Sequence, residues 1–259
     1  MLRLLKKQSN VIDPWSKVFA TVFATVVSTI VMGLLTACAS AAASQPTPAI
    51  TRTPVTNPGE KPTIDTVETS NRVIEYTYEI VDKFPHDPAA FTQGLIYTDG
   101  IFYEGTGLYG QSTLRKVEPE TGEVLMGARL PDDVFGEGVV LFNGKIYQLT
   151  WHKHIGYIVN AETFELIDTF TYSTEGWGLT HDGEQLIMSD GSERLMFLDP
   201  VTLEMTGSIQ VEDKDGPITQ LNELEFIDGQ IYANIWQTDT IVIIDPTSGQ
   251  VTGRIDLTG

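Results

Sequence analysis

From about residue 73 onward, short apolar runs alternate with polar turns, and the runs recur with a long period. Four segments share one pattern: FTQGLIY (91–97), FGEGVVL (135–141), EGWGLTH (175–181) and LNELEFI (221–227). Aligned on the apolar run, one position, here called the ring position, holds Gln93, Glu137, Trp177 and Asn222, at steps of 44, 40 and 45 residues. A fixed period of this size is typical of repeat proteins, in which each repeat is one supersecondary unit. Because this position varies between an acid, two amides and an indole, we expect its side chains to converge on a shared site.

Each repeat also contains two turns with a recognisable chemistry. The first is an Asp-Gly or Asn-Gly pair, which favours a tight hairpin because both residues tolerate positive φ; it begins at Asp99, Asn143, Asp182 and Asp228. The second is a longer turn rich in Pro, Asp or Asn, at 118–122, 160–163, 199–202 and 245–249. Together they predict four antiparallel strands per repeat, which is typical of a β-propeller blade. A β-sandwich is the alternative, but a sandwich does not repeat its turn chemistry on a period.

The first 38 residues have the composition of an export signal. Basic residues precede an uncharged run over 18–37, and Leu35-Thr36-Ala37 stands directly before Cys38. A basic flank, an apolar core and small residues before a cleavage site predict a secretory signal over 1–37. Cys38 resembles the lipobox cysteine of bacterial lipoproteins, which implies a lipid anchor on the outer face of the bacterial cell membrane. An uncleaved membrane helix is the alternative, since the run could just span a bilayer.

Composition narrows the classes of partner. Residues 38–72 consist largely of Ala, Ser, Thr and Pro, so we expect a flexible linker that follows the lipidated cysteine. The domain over 73–259 is long enough for one sizeable core. With 35 acidic and 16 basic residues the chain has a formal charge of −19, which argues against nucleic acid as a partner. Cys38 is the only cysteine, so we expect no intrachain disulfide and no thiol catalysis.

Several motifs together resemble one enzyme family. FTQGL, FGEG, GWGLT, SDGS, LNELE and ANIWQT follow one another in an order and spacing similar to the plant-type glutaminyl-peptide cyclotransferases, which also occur in bacteria. The resemblance covers nearly all of 73–259. It implies an all-β, five-bladed β-propeller with its active site at one mouth of the central channel. It also implies conversion of the N-terminal glutamine of peptides or proteins to pyroglutamate, with release of ammonia and no required cofactor. We expect a monomer.

The resemblance implies roles for three ring positions. Glu137 matches the proposed acid-base residue of the family, and Gln93 and Asn222 match positions that hydrogen-bond the substrate amide or the developing oxyanion. In this reaction the substrate α-amine attacks its own γ-carboxamide, and one carboxyl group can carry the proton from the amine to the leaving ammonia. Gly136 and Gly138 would leave the carboxyl of Glu137 reachable. Burial beside aromatic groups would raise its pKa.

Four aromatic side chains also match aromatic positions of the family: Phe91, Trp151, Trp177 and Trp236. Trp151 and Trp236 both end the second strand of their repeats, which places the two indoles on the same side of a propeller. Lining the site, these rings would exclude water and hold the methylene groups of the glutamine. Packing between blades is the alternative use of Trp in propellers.

Other residues offer weaker candidates. Glu104 is a competing carboxyl that lies one strand further out than the ring position, so we rank it below Glu137. His152 and His154 are two residues apart, but the sequence has no acidic cluster at ligand spacing, so we predict no metal ligands. A structural cation in the channel stays open as an alternative.

One departure from the family concerns the end of the chain. The resemblance implies a fifth repeat and a lysine near its end, and neither is found in the sequence given. We expect 73–84 to be the closing outer strand of that fifth blade, so that this chain supplies four blades and a strand with no blade to join. We therefore interpret the sequence as truncated or degenerate. The alternative function is a catalytically inactive, lipid-anchored propeller that binds peptide or polysaccharide.

Overall fold

The computed structural model describes residues 2–6 and 72–258, and the regular elements in these ranges are all β-strands. The first two are β1 (Leu2–Lys6) and β2 (Ile74–Ile80). Most of the predicted signal peptide, Cys38 and nearly all of the linker lie outside the described residues, so those predictions stay predictions. Within the described ranges, no helix has the length and hydrophobicity needed to cross a bilayer.

Four sheets correspond to the four repeats, and the four strands of each repeat pair antiparallel. The first blade consists of β3 (Thr92–Thr98), β4 (Ile101–Thr106), β5 (Thr113–Val117) and β6 (Val124–Arg129), and the second of β7 (Gly136–Phe142), β8 (Lys145–Thr150), β9 (Ile155–Asn160) and β10 (Leu166–Thr171). The third consists of β11 (Leu179–His181), β12 (Leu186–Ser189), β13 (Arg194–Leu198) and β14 (Met205–Gln210). A small hairpin of β15 (Glu212–Asp213) and β16 (Gly216–Pro217) follows, and the fourth blade consists of β17 (Leu221–Ile227), β18 (Gln230–Ile235), β19 (Thr240–Ile244) and β20 (Val251–Asp256). The all-β prediction and the four-blade arrangement are confirmed.

The first turn of each blade follows the sequence pattern in three repeats out of four. Asp99, Asn143 and Asp228 have φ of 49°, 51° and 50°, and each is followed by a glycine with positive φ. In the third blade only Gly183 has positive φ. There the side chain of Asp182 accepts hydrogen bonds from the backbone amides of Glu184 and Gln185, at 2.8 and 2.7 Å. The same dipeptide therefore closes the third hairpin by a different route, because Asp can bond the backbone ahead of it.

Hydrophobic clusters fill the spaces between neighbouring blades. Strand β12 shows how: Leu186 and Met188 pack with residues of the second blade, whereas Ile187 packs with residues of the fourth. Side chains of a strand alternate between its two faces. A middle blade therefore buries both faces of its central strands, so Leu186–Met188 of β12 and Leu195–Leu198 of β13 are continuous apolar runs, whereas the outer strand β14 is largely exposed.

The inner strands β3, β7, β11 and β17 lie side by side in this order. The residue after the ring position is glycine in the first three repeats: Gly94, Gly138 and Gly178. A Cβ on Gly178 would lie 2.0 Å from the carbonyl oxygen of Asn222, and one on Gly94 would lie 2.5 Å from the amide nitrogen of Val139. These distances are shorter than real Cβ atoms show, so the inner strands approach this closely only because glycine has no Cβ.

The fourth repeat has Glu223 where the others have glycine. Its buried carboxyl accepts a hydrogen bond from the backbone amide of Leu95 on β3. The side chain thus links the fourth inner strand to the first. Burial raises the pKa of Glu223 well above its ordinary value, and the neighbouring charge of Glu225 raises it further.

The prediction that 73–84 has no blade to join is wrong. Strand β2 pairs in parallel with β20, with Ile74 opposite Gly253 and Tyr76 opposite Ile255, and β1 pairs antiparallel with β2. The outer strand of a blade presents unpaired backbone N–H and C=O groups, which a further strand can satisfy. This segment therefore extends the fourth blade.

We expect Gly178→Ala to destabilise the fold by about 1–3 kcal/mol, because the added methyl group would overlap the backbone of β17. The free energy of unfolding in urea measures the effect. The matched control is Gly207→Ala in β14, where a Cβ would meet no atom within 4 Å. Equal stabilities of the two variants would contradict the close approach of β11 and β17.

The pair of glutamates on β17 predicts a pH dependence of stability. Burial raises the pKa of Glu225 from 4.5 to about 8, so the folded chain keeps a proton that the unfolded chain releases. The resulting stabilisation is fully present below pH 4.5 and is lost as the pH rises towards about 8. In Glu225→Gln the contribution of Glu225 to this dependence is absent, so the variant should become more stable relative to the unmodified chain as the pH rises through this window. Parallel curves of unfolding free energy against pH would show that Glu225 is not held protonated.

Candidate active site

The ring positions lie where the inner strands depart from regular pairing. Strand register shifts between Thr92 and Gly94, between Gly136 and Val139, and between Leu221 and Leu224. These shifts enclose Gln93, Glu137 and Asn222, and Trp177 lies just before β11 begins. A β-bulge turns a side chain away from the regular alternation of the strand. In three of the four repeats, the ring position therefore coincides with a β-bulge.

Glu137 is the buried carboxyl of this group. It is 7% exposed, and no group within residues 72–258 donates a hydrogen bond to its carboxyl oxygens. Burial raises its pKa well above the ordinary value, and the negative charge of Glu175 raises it further. A carboxyl of this kind can hold a proton at a pH at which an exposed glutamate has lost it.

One aromatic cluster covers the first two blades. The ring of Phe135 lies at its centre, 6.1 Å from the ring of Phe91, 5.6 Å from that of Tyr109 and 5.7 Å from the indole of Trp151. All three contacts are edge-to-face, the arrangement that the charge distribution of aromatic rings favours. Gly107 makes room for Phe135, because a Cβ at that glycine would lie 2.3 Å from the ring. Gln93 lies against the same glycine.

A second pair of aromatic rings belongs to the third and fourth blades. The indoles of Trp177 and Trp236 meet edge-to-face with ring centres 5.5 Å apart. Trp236 is 44% exposed, so the pair opens to solvent rather than filling the space between blades. Trp151 contacts Phe135 and Trp236 contacts Trp177. That both indoles lie on one side of the propeller and line a site stays a prediction.

Glu175 joins the two aromatic groups. Its Oε2 accepts a hydrogen bond from Nε1 of Trp151 at 2.7 Å and another from Nε1 of Trp177 at 2.9 Å. Its Oε1 lies 3.2 Å from Nε2 of His152, whose ring stacks on Trp151 with centres 3.6 Å apart. Partial burial would raise the pKa of Glu175, but the hydrogen bonds from both indoles and from His152 outweigh it and lower the pKa.

Asn222 is held through its backbone. Its carbonyl oxygen accepts a hydrogen bond from Oγ of Ser189 at 2.6 Å, and the same hydroxyl oxygen accepts one from the amide of Gly178 at 2.7 Å. The backbone of Trp177 makes two hydrogen bonds: its amide donates to the carbonyl of Ser189, and its carbonyl accepts from the amide of Gly138. These hydrogen bonds join the backbones of neighbouring blades next to the ring positions. They hold the backbone from which the side chains at the ring positions extend.

The weaker candidates have other partners. Glu104 is 2% exposed and its carboxyl accepts hydrogen bonds from Nε2 of His86 and from the hydroxyl of Thr92. His154 contacts the carbonyl oxygen of Thr174, whereas His152 stacks on Trp151. In the part of the chain that the structure describes, no group of three or more His, Cys, Asp or Glu side chains could hold a metal ion.

Three residues of the site were missed from the sequence: Phe135, Tyr109 and Glu175. A signal for two of them was present, because the repeat alignment places Phe91, Phe135 and Glu175 at the same position, two residues before the ring position. This position supplies the central rings of one aromatic cluster and the carboxylate that joins it to the other. Tyr109 lies in the connection between β4 and β5, outside the repeated pattern, and the sequence offered no indication of its role.

Comparison with known proteins identifies relatives. The family model described as glutamine cyclotransferase matches residues 51–259. A glutaminyl-peptide cyclotransferase of Arabidopsis thaliana is 38% identical over 191 residues, or 73% of this chain, and the chain spans 59% of the length of that protein. The crystal structure of a glutaminyl cyclase of Myxococcus xanthus is similar with a TM-score of 0.67 at 36% identity, over 71% of this chain and 78% of that one.

We expect Glu137→Gln to stabilise the protein increasingly as the pH rises above 4.5, the ordinary pKa of this group. A buried carboxyl with a raised pKa destabilises the folded state once it ionises, and the amide of Gln has the same shape without the charge. Urea unfolding at several pH values measures the difference. The control is Glu162→Gln, which removes a charge from an exposed turn; a gain of the same size in that variant would show that the effect comes from net charge alone.

Proposed function

Because the chain belongs to the glutamine cyclotransferase family, we propose that it converts the N-terminal glutamine of peptides or proteins to pyroglutamate and releases ammonia. The observation that carries this proposal is the environment of Glu137. Its carboxyl is buried, its pKa is raised, and it lies at a ring position beside the aromatic clusters. An acid-base group for this reaction needs a pKa near the working pH, and burial is the physical means of reaching it.

In the proposed reaction, Glu137 carries one proton from the attacking amine to the leaving nitrogen. The α-amine of the substrate attacks the γ-carboxamide carbon of the same residue, so a C–N bond forms and the carbonyl oxygen becomes negative. Glu137 accepts the proton from the attacking nitrogen. It then donates this proton to the amide nitrogen as the old C–N bond breaks, so that ammonia leaves and the carboxylate is regenerated. One group acts first as base and then as acid, and the reaction consumes no other reactant.

The remaining ring residues orient the substrate in this proposal. Gln93 and Asn222 carry both a donor and an acceptor, which suits recognition of a carboxamide and of the oxyanion that it becomes. The rings of Phe91, Trp151, Trp177 and Trp236 exclude water and hold the methylene groups of the glutamine. Ring closure needs the amine and the carboxamide carbon in a near-attack geometry, and a rigid aromatic wall favours the folded form of the side chain.

We propose that the protein works outside the cytoplasm as a monomer on a lipid anchor, so that β1 is removed with the signal peptide and β2 is the edge strand of the fourth blade in the mature protein. The support is the composition of residues 1–38 and the position of Cys38 directly after Leu35-Thr36-Ala37. The substrates in this setting are exported peptides or proteins with a free N-terminal glutamine. No cofactor takes part in the proposed chemistry.

The test is a cyclisation assay with a short peptide that begins with glutamine, following ammonia release and the mass of the product. We expect the unmodified protein to release one ammonia per peptide, and Glu137→Gln to be slower by about 10²–10⁴-fold, the usual contribution of general acid-base catalysis. Glu162→Gln should keep full activity. A peptide whose α-amine is acetylated should not react, because its nitrogen can no longer attack.

Two outcomes would overturn parts of this proposal. Ammonia release that survives in Glu137→Gln would exclude this residue as the proton carrier. A folded unmodified protein that releases no ammonia from any glutamine-initiated peptide, yet binds such a peptide, would favour the inactive binding module instead.

A further inference from the structure

One carboxylate oxygen, Oε2 of Glu175, receives two indole hydrogen bonds from different blades. Trp151 follows β8 in the second blade, and Trp177 precedes β11 in the third. Both donate to Oε2 of Glu175, which lies in the connection between β10 and β11. A carboxylate oxygen has more than one lone pair, and bonds to a charged acceptor are about twice as strong as neutral ones. A single side chain thus fixes the planes of two rings.

We propose that Glu175 is a positioning residue, which holds Trp151 and Trp177 in the orientation in which they enclose the substrate. This inference deepens the proposed cyclotransferase activity and rests on it. Glu175 does not itself carry a proton in the reaction. It acts by holding the two indoles, and its negative charge acts on the carboxyl of Glu137, which carries the proton.

The aromatic contacts show how far this influence extends. Trp151 packs on Phe135, which also contacts Phe91, and Trp177 packs on Trp236. The clusters of the first two blades and of the last two meet through Glu175, with both indole N–H groups directed at it. Without this acceptor, each N–H would lose a charged partner in a half-buried position, and the rings would be free to turn.

The charge of Glu175 has a second consequence at the same place. The titratable groups around it are His152 beside Oε1, Glu137 on β7, and Tyr172 at the end of β10. Burial raises the pKa of Tyr172 to about 12, so its hydroxyl stays neutral, and it bonds both the amide and the carbonyl of Thr150 at the end of β8. Glu175 is therefore the group that supplies a negative charge next to Glu137 over the working range.

Two substitutions separate the two effects. In Glu175→Gln the amide oxygen can take the place of Oε2 and still accept from both indoles, but the charge is gone. In Glu175→Ala both the charge and the acceptor are lost. Glu184→Gln is the matched control, because it removes an equal charge from the exposed turn at 182–185 of the third blade.

Near-ultraviolet circular dichroism reports the fixed environment of the indoles and needs no substrate. We expect Glu175→Ala to lose part of the tryptophan signal, and Glu175→Gln and Glu184→Gln to keep it. In the cyclisation assay we expect kcat/KM of Glu175→Ala to fall by about tenfold to a hundredfold, the cost of misplacing groups that orient a substrate. An unchanged tryptophan signal in Glu175→Ala would overturn the proposal.

The pH profile tests the role of the charge. Removing a negative neighbour lowers the pKa of Glu137, so the acid limb of kcat should move to lower pH in Glu175→Gln and stay in place in Glu184→Gln. A merely structural role would leave the limb unmoved in Glu175→Gln, and that result would overturn the electrostatic part. Glu175→Gln decides this point even if Glu175→Ala fails to fold.

Failure of the proposed function can be told apart from failure of this inference. If the unmodified protein releases no ammonia, the activity is refuted, and the circular dichroism comparison by itself still decides whether Glu175 holds the indoles. If the unmodified protein is active while Glu175→Ala matches it in both kcat/KM and dichroism, the activity stands and the positioning role is refuted.

Discussion

Backbone atoms of neighbouring inner strands come so near to one another that a methyl group at Gly94, Gly138 or Gly178 would overlap the next strand. This approach lets the backbone of one blade bond directly to the next, as the amide of Gly138 does with the carbonyl of Trp177. The space between the blades further out is then filled by apolar side chains from both faces of each sheet. Glycine at one repeated position therefore sets the radius at which the blades can pack.

The close approach of the inner strands also affects the β-bulges at the ring positions. Where the backbone is crowded, a residue that leaves the regular pairing is released from the side-chain alternation of the strand. Gln93, Glu137 and Asn222 lie at such interruptions, and the first two directly precede a crowded glycine. Hydrogen bonds between neighbouring blades hold the backbone at two of these interruptions: the amide of Gly138 donates to the carbonyl of Trp177, and the hydroxyl of Ser189 donates to the carbonyl of Asn222. In the proposed function, the side chains that meet the substrate are thus placed by strands rather than by loops.

Two carboxyl groups near each other have opposite electrostatic environments. Glu137 is buried and its pKa is raised, whereas Glu175 accepts hydrogen bonds from two indoles, lies 3.2 Å from His152 and has a lowered pKa. Pairs of groups whose environments separate their pKa values are a frequent means of obtaining an acid and a permanent anion from the same residue type. Here the carboxylate of Glu175 also holds the indoles of Trp151 and Trp177, so one side chain affects both the packing and the electrostatics of the site.

The sequence by itself determined the blade count, the turns and the ring positions, because strand alternation, Asp-Gly and Asn-Gly hairpins and a fixed repeat are local properties. The repeat alignment also contained Glu175, but it did not show which groups this carboxylate contacts. Only the tertiary structure brought Trp151 and Trp177 onto one oxygen, directed Glu223 to the amide of Leu95, and paired β2 with the outer edge of the fourth blade. These contacts join residues far apart in the chain, and the space left by the packing of the blades decides them rather than any local preference of the backbone.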